Sequence, residues 1–293
     1  MDQPGVAFPG QVSDVEALGR QLGRYRDHPL VAALAERVGG DPATANFADT
    51  RVALPSTYVA GLVAAWDTVG PPEGRVPMVI GHSLGEVTAM AYTGALDPYD
   101  GLRLICGVGD LGDEQYWRRP SALVAIVGLD GITVEWHRRN VLAVTGGVLE
   151  PSGYNDPRQT VLCGDEAAVD AMVARVRAGV GAARRLPIRG GYHSSLMVEA
   201  LPSFRALLAR LRFRPPRVPL LSTVDGCVRT DAAGLPELLS RWLVLPVRWH
   251  EATLTAARLG VRTLWNAGPG DILRRIGRRG GAVEFVEPAG VLS

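Results

Sequence analysis

The chain contains no lysine: all 31 of its basic residues are arginine. That absence excludes a Schiff-base lysine and a Ser-Lys pair, and the bias itself reads as that of a GC-rich coding sequence. Cysteine is nearly as scarce, with Cys106, Cys163 and Cys227 far apart in apolar strings. They read as reduced core residues, because no CxxC or HExxH spacing offers a disulfide framework or a metal site. No metal and no cofactor is expected. Charge of one sign is also missing: the net charge is +1, whereas phosphate binding needs a strong basic field, so nucleic acid is not an expected partner. No uninterrupted apolar run is long enough to span a bilayer, and Met1 to Gly10 has neither a basic n-region nor an apolar h-region. The expected location is the cytoplasm, away from any membrane.

What is present is ordinary for a globular protein: 47% hydrophobic and 21% charged residues in a chain of 293. A large core is within reach, as one large domain or as a domain with a small insert. The most informative stretch is Val79-Ile-Gly-His-Ser-Leu-Gly-Glu86. Pro77 to Ile80 read as a short buried strand and Glu86 to Ala91 open a helical pattern, so Ser83 falls on the turn between them, as in a nucleophile elbow. Gly81 and Gly85 suit a turn that brings strand and helix together and leaves the hydroxyl uncrowded. The amide of Leu84 then lies at a helix N-terminus, where it can stabilise an oxyanion. The elbow implies acyl chemistry.

Along the chain, Val6 to Gln11 read as a strand ending in a Pro-Gly turn, and residues 14–38 as helix broken at Pro29. A helix is expected from Pro55 to Trp66, followed by the Gly70 to Gly74 connection. Beyond the elbow, strands are expected at Ser121–Leu129, Val141–Thr145, Gln159–Cys163 and Arg184–Ile188, with helices at Ile132–Arg139 and Asp165–Ala178. That β-α-β-β-α-β order matches the ferredoxin-like split unit. Helices at Leu235–Leu243 and from Trp249 to Leu259, a strand at Arg262–Asn266 and the basic stretch Ile272–Arg279 complete the chain.

Four landmarks resemble, in order, the malonyl-CoA:acyl carrier protein transacylases and the acyltransferase domains of polyketide synthases. They are Phe8-Pro-Gly-Gln11, Gly81-His-Ser-Leu-Gly-Glu86, Gly191-Tyr-His-Ser-Ser-Leu-Met197 and Gly268-Pro-Gly270, joined by Asn155-Asp-Pro-Arg-Gln159, Val161-Leu-Cys-Gly164 and Pro246-Val-Arg-Trp249. The resemblance covers nearly the whole chain. It implies an α/β fold, with an α/β-hydrolase-like large domain on a parallel sheet (1–118 and 189–293) and an inserted ferredoxin-like small domain (119–188). It implies Ser83 as nucleophile and His193 as base in a two-step exchange. It further implies an oxyanion hole from the amides of Gln11 and Leu84, and a backbone carbonyl, here that of Arg248, orienting His193. His82 either supports the site or is simply packed in the elbow. His28, His137 and His250 read as solvated, with His250 kept open as a late histidine of α/β-hydrolase type.

The chain departs from the family where the acyl group is held. The arginine that pairs with a malonyl carboxylate aligns with Val108, and a polar glutamine aligns with Leu54 before Pro55. A carboxylate there would lose a bidentate partner and its hydration. The pocket is therefore expected to include Leu54, His82, Val108, Asn155, Gly191 and Tyr192, and to take a monocarboxylic, aminoacyl or peptidyl group. Asp110, Asp113 and Glu114 are candidates to meet an ammonium, and the glycines before Tyr192 to widen the pocket. The expected partners are an acyl carrier protein acting in trans, met by Arg184, Arg185 and the run Arg274 to Arg279, and an acyl-CoA or acyl-carrier-protein donor. A pathway of polyketide or antibiotic synthesis is implied by the same resemblance. Hydrolysis of acyl thioesters, malonyl transfer, and an idle carrier-binding module stay open as alternatives.

Overall fold

The computed structural model describes residues 3–11, 14–72, 74, 76–177, 179 and 181–286. Parts of the expected Gly70 to Gly74 connection, the helix end at Ala178 and the last seven residues lie outside them. The chain opens with β1 (Gly5–Phe8), α1 (Val15–Arg24), α2 (Pro29–Val38) and α3 (Thr50–Thr68). Then come β2 (Val79–Gly81), α4 (Gly85–Tyr92) and α5 (Pro98–Arg118). A second unit follows: β3 (Ser121–Val127), α6 (Gly131–Thr145), β4 (Leu149–Asp156), β5 (Gln159–Asp165), α7 (Glu166–Arg177) and β6 (Ala182–Arg189). The chain closes with α8 (Leu201–Leu208), β7 (Leu220–Leu221), β8 (Val228–Arg229), α9 (Leu235–Trp242), α10 (Trp249–Arg258), β9 (Thr263–Asn266), α11 (Ile272–Gly280) and β10 (Glu284–Val286).

Two sheets organise these elements. The larger runs β10-β9-β1-β2-β7-β8, parallel except for the antiparallel edge strand β8. Val6, Phe8 and Val79 pack into the core on one face and Ala7, Ile80 and Leu264 on the other, as expected of parallel strands covered on both sides. The smaller sheet is antiparallel in the order β4-β5-β3-β6. β1 and β2 are neighbours at the centre of the large sheet, so the loops after their carboxyl ends, Pro9 to Gln11 and His82 to Leu84, lie side by side. In open α/β sheets that end of the strands is where ligands bind.

The expected order of strands and helices in the second unit is present, but its second strand is not the expected one. Val141–Thr145 forms the last turn of α6, a helix begun by Asp130, whose side chain accepts from the Thr133 amide at 2.8 Å. Gly146 and Gly147, at φ 65° and 72°, end it in a conformation that other residues resist. The strand follows at Leu149. It is an edge strand, which tolerates the register shift between Pro151 and Gly153. α3 begins at Thr50, capped by Asp49, and carries Pro55 inside it. Cys106 and Cys163 are buried as expected, whereas Cys227 is exposed in the tight turn between β7 and β8. Among the described residues no helix is long and apolar enough to cross a membrane, and no cluster of three His, Cys, Asp or Glu side chains is spaced to hold a metal ion.

Candidate active site

The elbow is built by close approach. A Cβ on Gly81 would meet the Gly85 carbonyl carbon at 2.1 Å, and one on Gly85 would meet the Phe8 oxygen at 2.2 Å. Strand β2 can turn straight into α4, hard against β1, only with both side chains missing. Ser83 at the tip is left at φ 53°, a region that costs a non-glycine residue on the order of 1 kcal/mol or more. Gln11 from the β1 loop and Ser83 line one cavity of about 140 Å³. Among the described residues neither the Gln11 nor the Leu84 amide has an intramolecular acceptor, which leaves both free for an oxyanion.

His193 reaches the serine from the loop after β6, and it too is a strained non-glycine residue, at φ 60°. Its Nε2 lies 2.8 Å from Ser83 Oγ, and its Nδ1 lies 2.8 Å from the carbonyl oxygen of Trp242. A carbonyl can only accept, so Nδ1 carries the proton and Nε2 of the neutral ring is free to accept from the serine. Burial lowers the imidazole to about 4, opposed by the Trp242 carbonyl, so the ring is neutral at pH 7. The Leu243 carbonyl also accepts from the His193 backbone amide at 3.0 Å. Both carbonyls belong to the C-terminal turn of α9, where carbonyls lack partners within the helix and the helix dipole is negative. An imidazolium formed there would be stabilised without a carboxylate.

This corrects the expectation for Arg248. Its carbonyl accepts from Ala252 at 3.0 Å as the first acceptor of α10, and its amide donates to Thr223 at 2.8 Å. Neither group reaches His193. Trp242 takes the role instead, and adds a second contact: its indole Nε1–H donates to the Ser83 carbonyl at 3.0 Å. No motif signals it, since a backbone acceptor leaves no side-chain signature.

The expected pocket residues divide. His82 and Asn155 line the cavity, with His82 Nε2 2.8 Å from Asn155 Oδ1 and the imidazole edge-on to Trp249. Burial lowers His82 as well. Leu54, Val108, Gly191 and Tyr192 do not line it. Leu54, Val108 and Tyr192 are in the main core, 6%, 1% and 7% exposed. The Tyr192 hydroxyl donates to the Val108 carbonyl at 3.3 Å, and its ring takes the room beside Gly112, where a Cβ would lie 1.9 Å from that hydroxyl. Gly191 packs on Leu196 instead of widening a pocket, since a Cβ there would come within 2.5 Å of the Leu196 Cβ. The acidic residues are paired with arginines: Asp110 with Arg37, Asp113 with Arg51 and Arg189, Glu114 with Arg118. His250 does not line the cavity beside Ser83 and lies in the first turn of α10 (Trp249–Arg258).

The acyl transferase domain family matches residues 30–292. The chain belongs to that family. This acyltransferase is 33% identical over 296 residues to the malonyl CoA-acyl carrier protein transacylase of Escherichia coli (strain K12), covering 95% of this chain and 93% of that protein. Its fold superimposes on the crystal structure of an acyl-carrier-protein S-malonyltransferase from Burkholderia pseudomallei 1710b with a TM-score of 0.84 and 27% identity, over 98% of this chain and 96% of that one. A malonyl-transacylase in complex with a type II polyketide synthase acyl-carrier protein aligns with a TM-score of 0.83 and 26% identity, over 98% and 96% of the two chains.

Proposed function

We propose that the acyltransferase is a cytoplasmic enzyme of polyketide-type biosynthesis that passes a non-dicarboxylic acyl group from a CoA or carrier-protein thioester to an acyl carrier protein. Ser83 Oγ attacks the thioester carbonyl as its proton moves to His193 Nε2, and the oxyanion is met by the Gln11 and Leu84 amides. The C–S bond then breaks and the departing thiolate takes the proton from His193. In the second half the acceptor thiol gives its proton to His193, attacks the Ser83 ester, and the serine oxygen leaves with that proton. The elbow and the large parallel sheet suit an α/β-hydrolase-like domain of residues 1–118 and 189–293. The strand order β4-β5-β3-β6 suits a ferredoxin-like domain of 119–188.

One observation carries the choice of cargo. Where the resemblance calls for an arginine, Val108 is buried under Tyr192, and among the residues lining the cavity beside Ser83 none is charged. A malonyl carboxylate would be desolvated there with no cation to meet it. A carrier protein is supported by the relatives and by α11, whose Ile272, Leu273 and Ile276 line the cavity while Arg275 and Arg278 face solvent beside it. Malonyl transfer is the second reading, because the relatives named above carry that activity in their names.

Intact-protein mass spectrometry after brief exposure to malonyl-CoA, acetyl-CoA and an aminoacyl carrier-protein thioester tests this reading, with Ser83→Ala as control. Label from a neutral or aminoacyl donor, but not from malonyl-CoA, is expected. Passage of that label to fresh carrier distinguishes transfer from hydrolysis, and malonylation as fast as the other donors would overturn the choice of cargo.

A further inference from the structure

Helices α6 and α7 cover one face of the small antiparallel sheet, while α10 and α11 approach it chiefly at the edge strand β4. Along β3, Ala122, Val124 and Ile126 pack against α6 and α7, while Leu123 and Ala125 point the other way, with Val161 of β5 and Leu186 and Ile188 of β6. A sheet covered on one side ordinarily turns polar residues to its open side. This one keeps an aliphatic face there, and all five of those residues line the cavity that contains Ser83 and His193. The cavity is thus divided by chemistry. Gln11, His82, Ser83 and His193 supply polar groups around the serine, and Ser152, Asn155 and Gln159 supply them from the β4 and β5 side of the small sheet; the five aliphatic residues of β3, β5 and β6 and the apolar side of α11 form the remaining wall.

Resting on the acyl-enzyme reading above, we propose that this sheet face is an acyl-chain wall and that the cargo is a neutral, apolar acyl group of about six carbons. The size follows from the volume. The cavity measures about 140 Å³, and an apolar protein cavity of roughly 150 Å³ takes a benzene molecule. Selectivity follows from burial, because each methylene moved from water onto the wall favours binding about three- to fourfold until the space is full. Ala125 is the smallest side chain of the wall and leaves the room that the chain occupies; Ile188, half-buried on β6, bounds it.

The test is the rate of Ser83 acylation in the full chain, followed by intact mass, with straight-chain pantetheine thioesters from acetyl to decanoyl and with malonyl-pantetheine. The expected result is a rise of about three- to fourfold per methylene to an optimum near hexanoyl, then a fall. Ala125→Leu should lower the hexanoyl-to-acetyl ratio about tenfold or more, and Ile188→Ala should move the optimum to longer donors. The second variant keeps the test informative if added bulk at Ala125 impairs folding. Acylation by acetyl with no dependence on length, an optimum unmoved by Ile188→Ala, or malonyl outpacing hexanoyl would overturn the wall while leaving the acyl-enzyme intact. No label from any donor on folded protein would overturn the acyl-enzyme, and the wall with it.

Discussion

The indole N–H of Trp242 donates to the backbone carbonyl of Ser83 at 3.0 Å, although 159 positions separate the two residues. The same residue holds His193 through its own carbonyl, so one side chain and one peptide from the end of α9 fix both partners of the Ser-His pair. Each partner sits in the left-handed region, where a turn relaxes unless its surroundings hold it. Trp242→Phe keeps the carbonyl and most of the ring but removes the donor. Rapid-quench acylation should show kcat reduced about tenfold, equivalent to one lost hydrogen bond of about 1.4 kcal/mol, with KM little changed. An unchanged kcat would mean that the elbow is held without the indole.

Replacing His193 by Ala should slow Ser83 acylation by about 10² to 10⁴. Arg248→Ala should leave it within about twofold, because the Arg248 carbonyl serves α10 and its side chain pairs with Glu251 at the surface. Because Arg248→Ala keeps the main-chain carbonyl, the pair of rates checks that the Arg248 side chain takes no part in the site, and a large loss would show that it does.

The pH dependence should follow from burial of the base. In the proposed role His193 must be neutral to accept the serine proton, and desolvation lowers it to about 4 from the ordinary 6.5. The acid limb of kcat/KM should therefore fall well below pH 6.5. Stability is linked in the same window: between pH 6.5 and about 4 the unfolded chain takes up a proton that folded His193 refuses. Its contribution is full above 6.5 and lost as pH falls through about 4. Denaturant midpoints compared with those of His193→Ala across that range measure the linkage.

The elbow was legible because its parts are contiguous, a strand, two glycines and a helix within ten residues. The rest of the site is assembled at long range. His193 and Gln11 stood out only through resemblance. Trp242 left no signal, because what it presents to His193 is a main-chain oxygen, six residues before the Arg248 that the Pro246 to Trp249 string suggested. The cavity wall was hidden for another reason. Ser121 to Leu129 reads as one continuous apolar run, since one face of β3 is buried by helices and the other by the cavity, and a run buried on both faces loses its alternation. Val141–Thr145 misled because a short apolar run fits a strand or a helix end equally well, and only the pair of glycines after it decides.

Beneath the elbow, Glu86 is wholly buried and burial raises its carboxyl to about 7, against the bonds from Ser222 and Thr223. Thr223 Oγ1 lies 2.9 Å from both the Gly81 carbonyl and Glu86 Oε2. Its single proton can go to Gly81 only if Glu86 supplies the other, so the neutral acid fits best. With a folded value above the unfolded 4.5, Glu86 favours the folded state least at high pH, and the loss accrues from pH 4.5 to about 7. Glu86→Gln, which keeps a donor and never ionises, should match the parent near pH 4 and exceed it by roughly 3 kcal/mol at pH 8. Urea titrations at the two pH values check this.

Placing at position 108 the arginine that the resemblance calls for should fail. At first sight Val108→Arg ought to create a malonyl site, since a guanidinium is what the sequence lacks at that position. Val108, however, is 1% exposed in the main core, and Tyr192 already occupies its flank by bonding to its carbonyl. An arginine placed there would be overpacked, at about 1–3 kcal/mol, and desolvated, at several kcal/mol. The expected outcome is a marked fall in thermal midpoint and no gain in Ser83 malonylation by mass. Shrinking Tyr192 as well, to Ser, should recover part of the stability by opening space beside Val108. If the double variant were malonylated faster than the parent, the site would be two substitutions away from a carboxylate pocket, and Tyr192 would be the residue that had closed it.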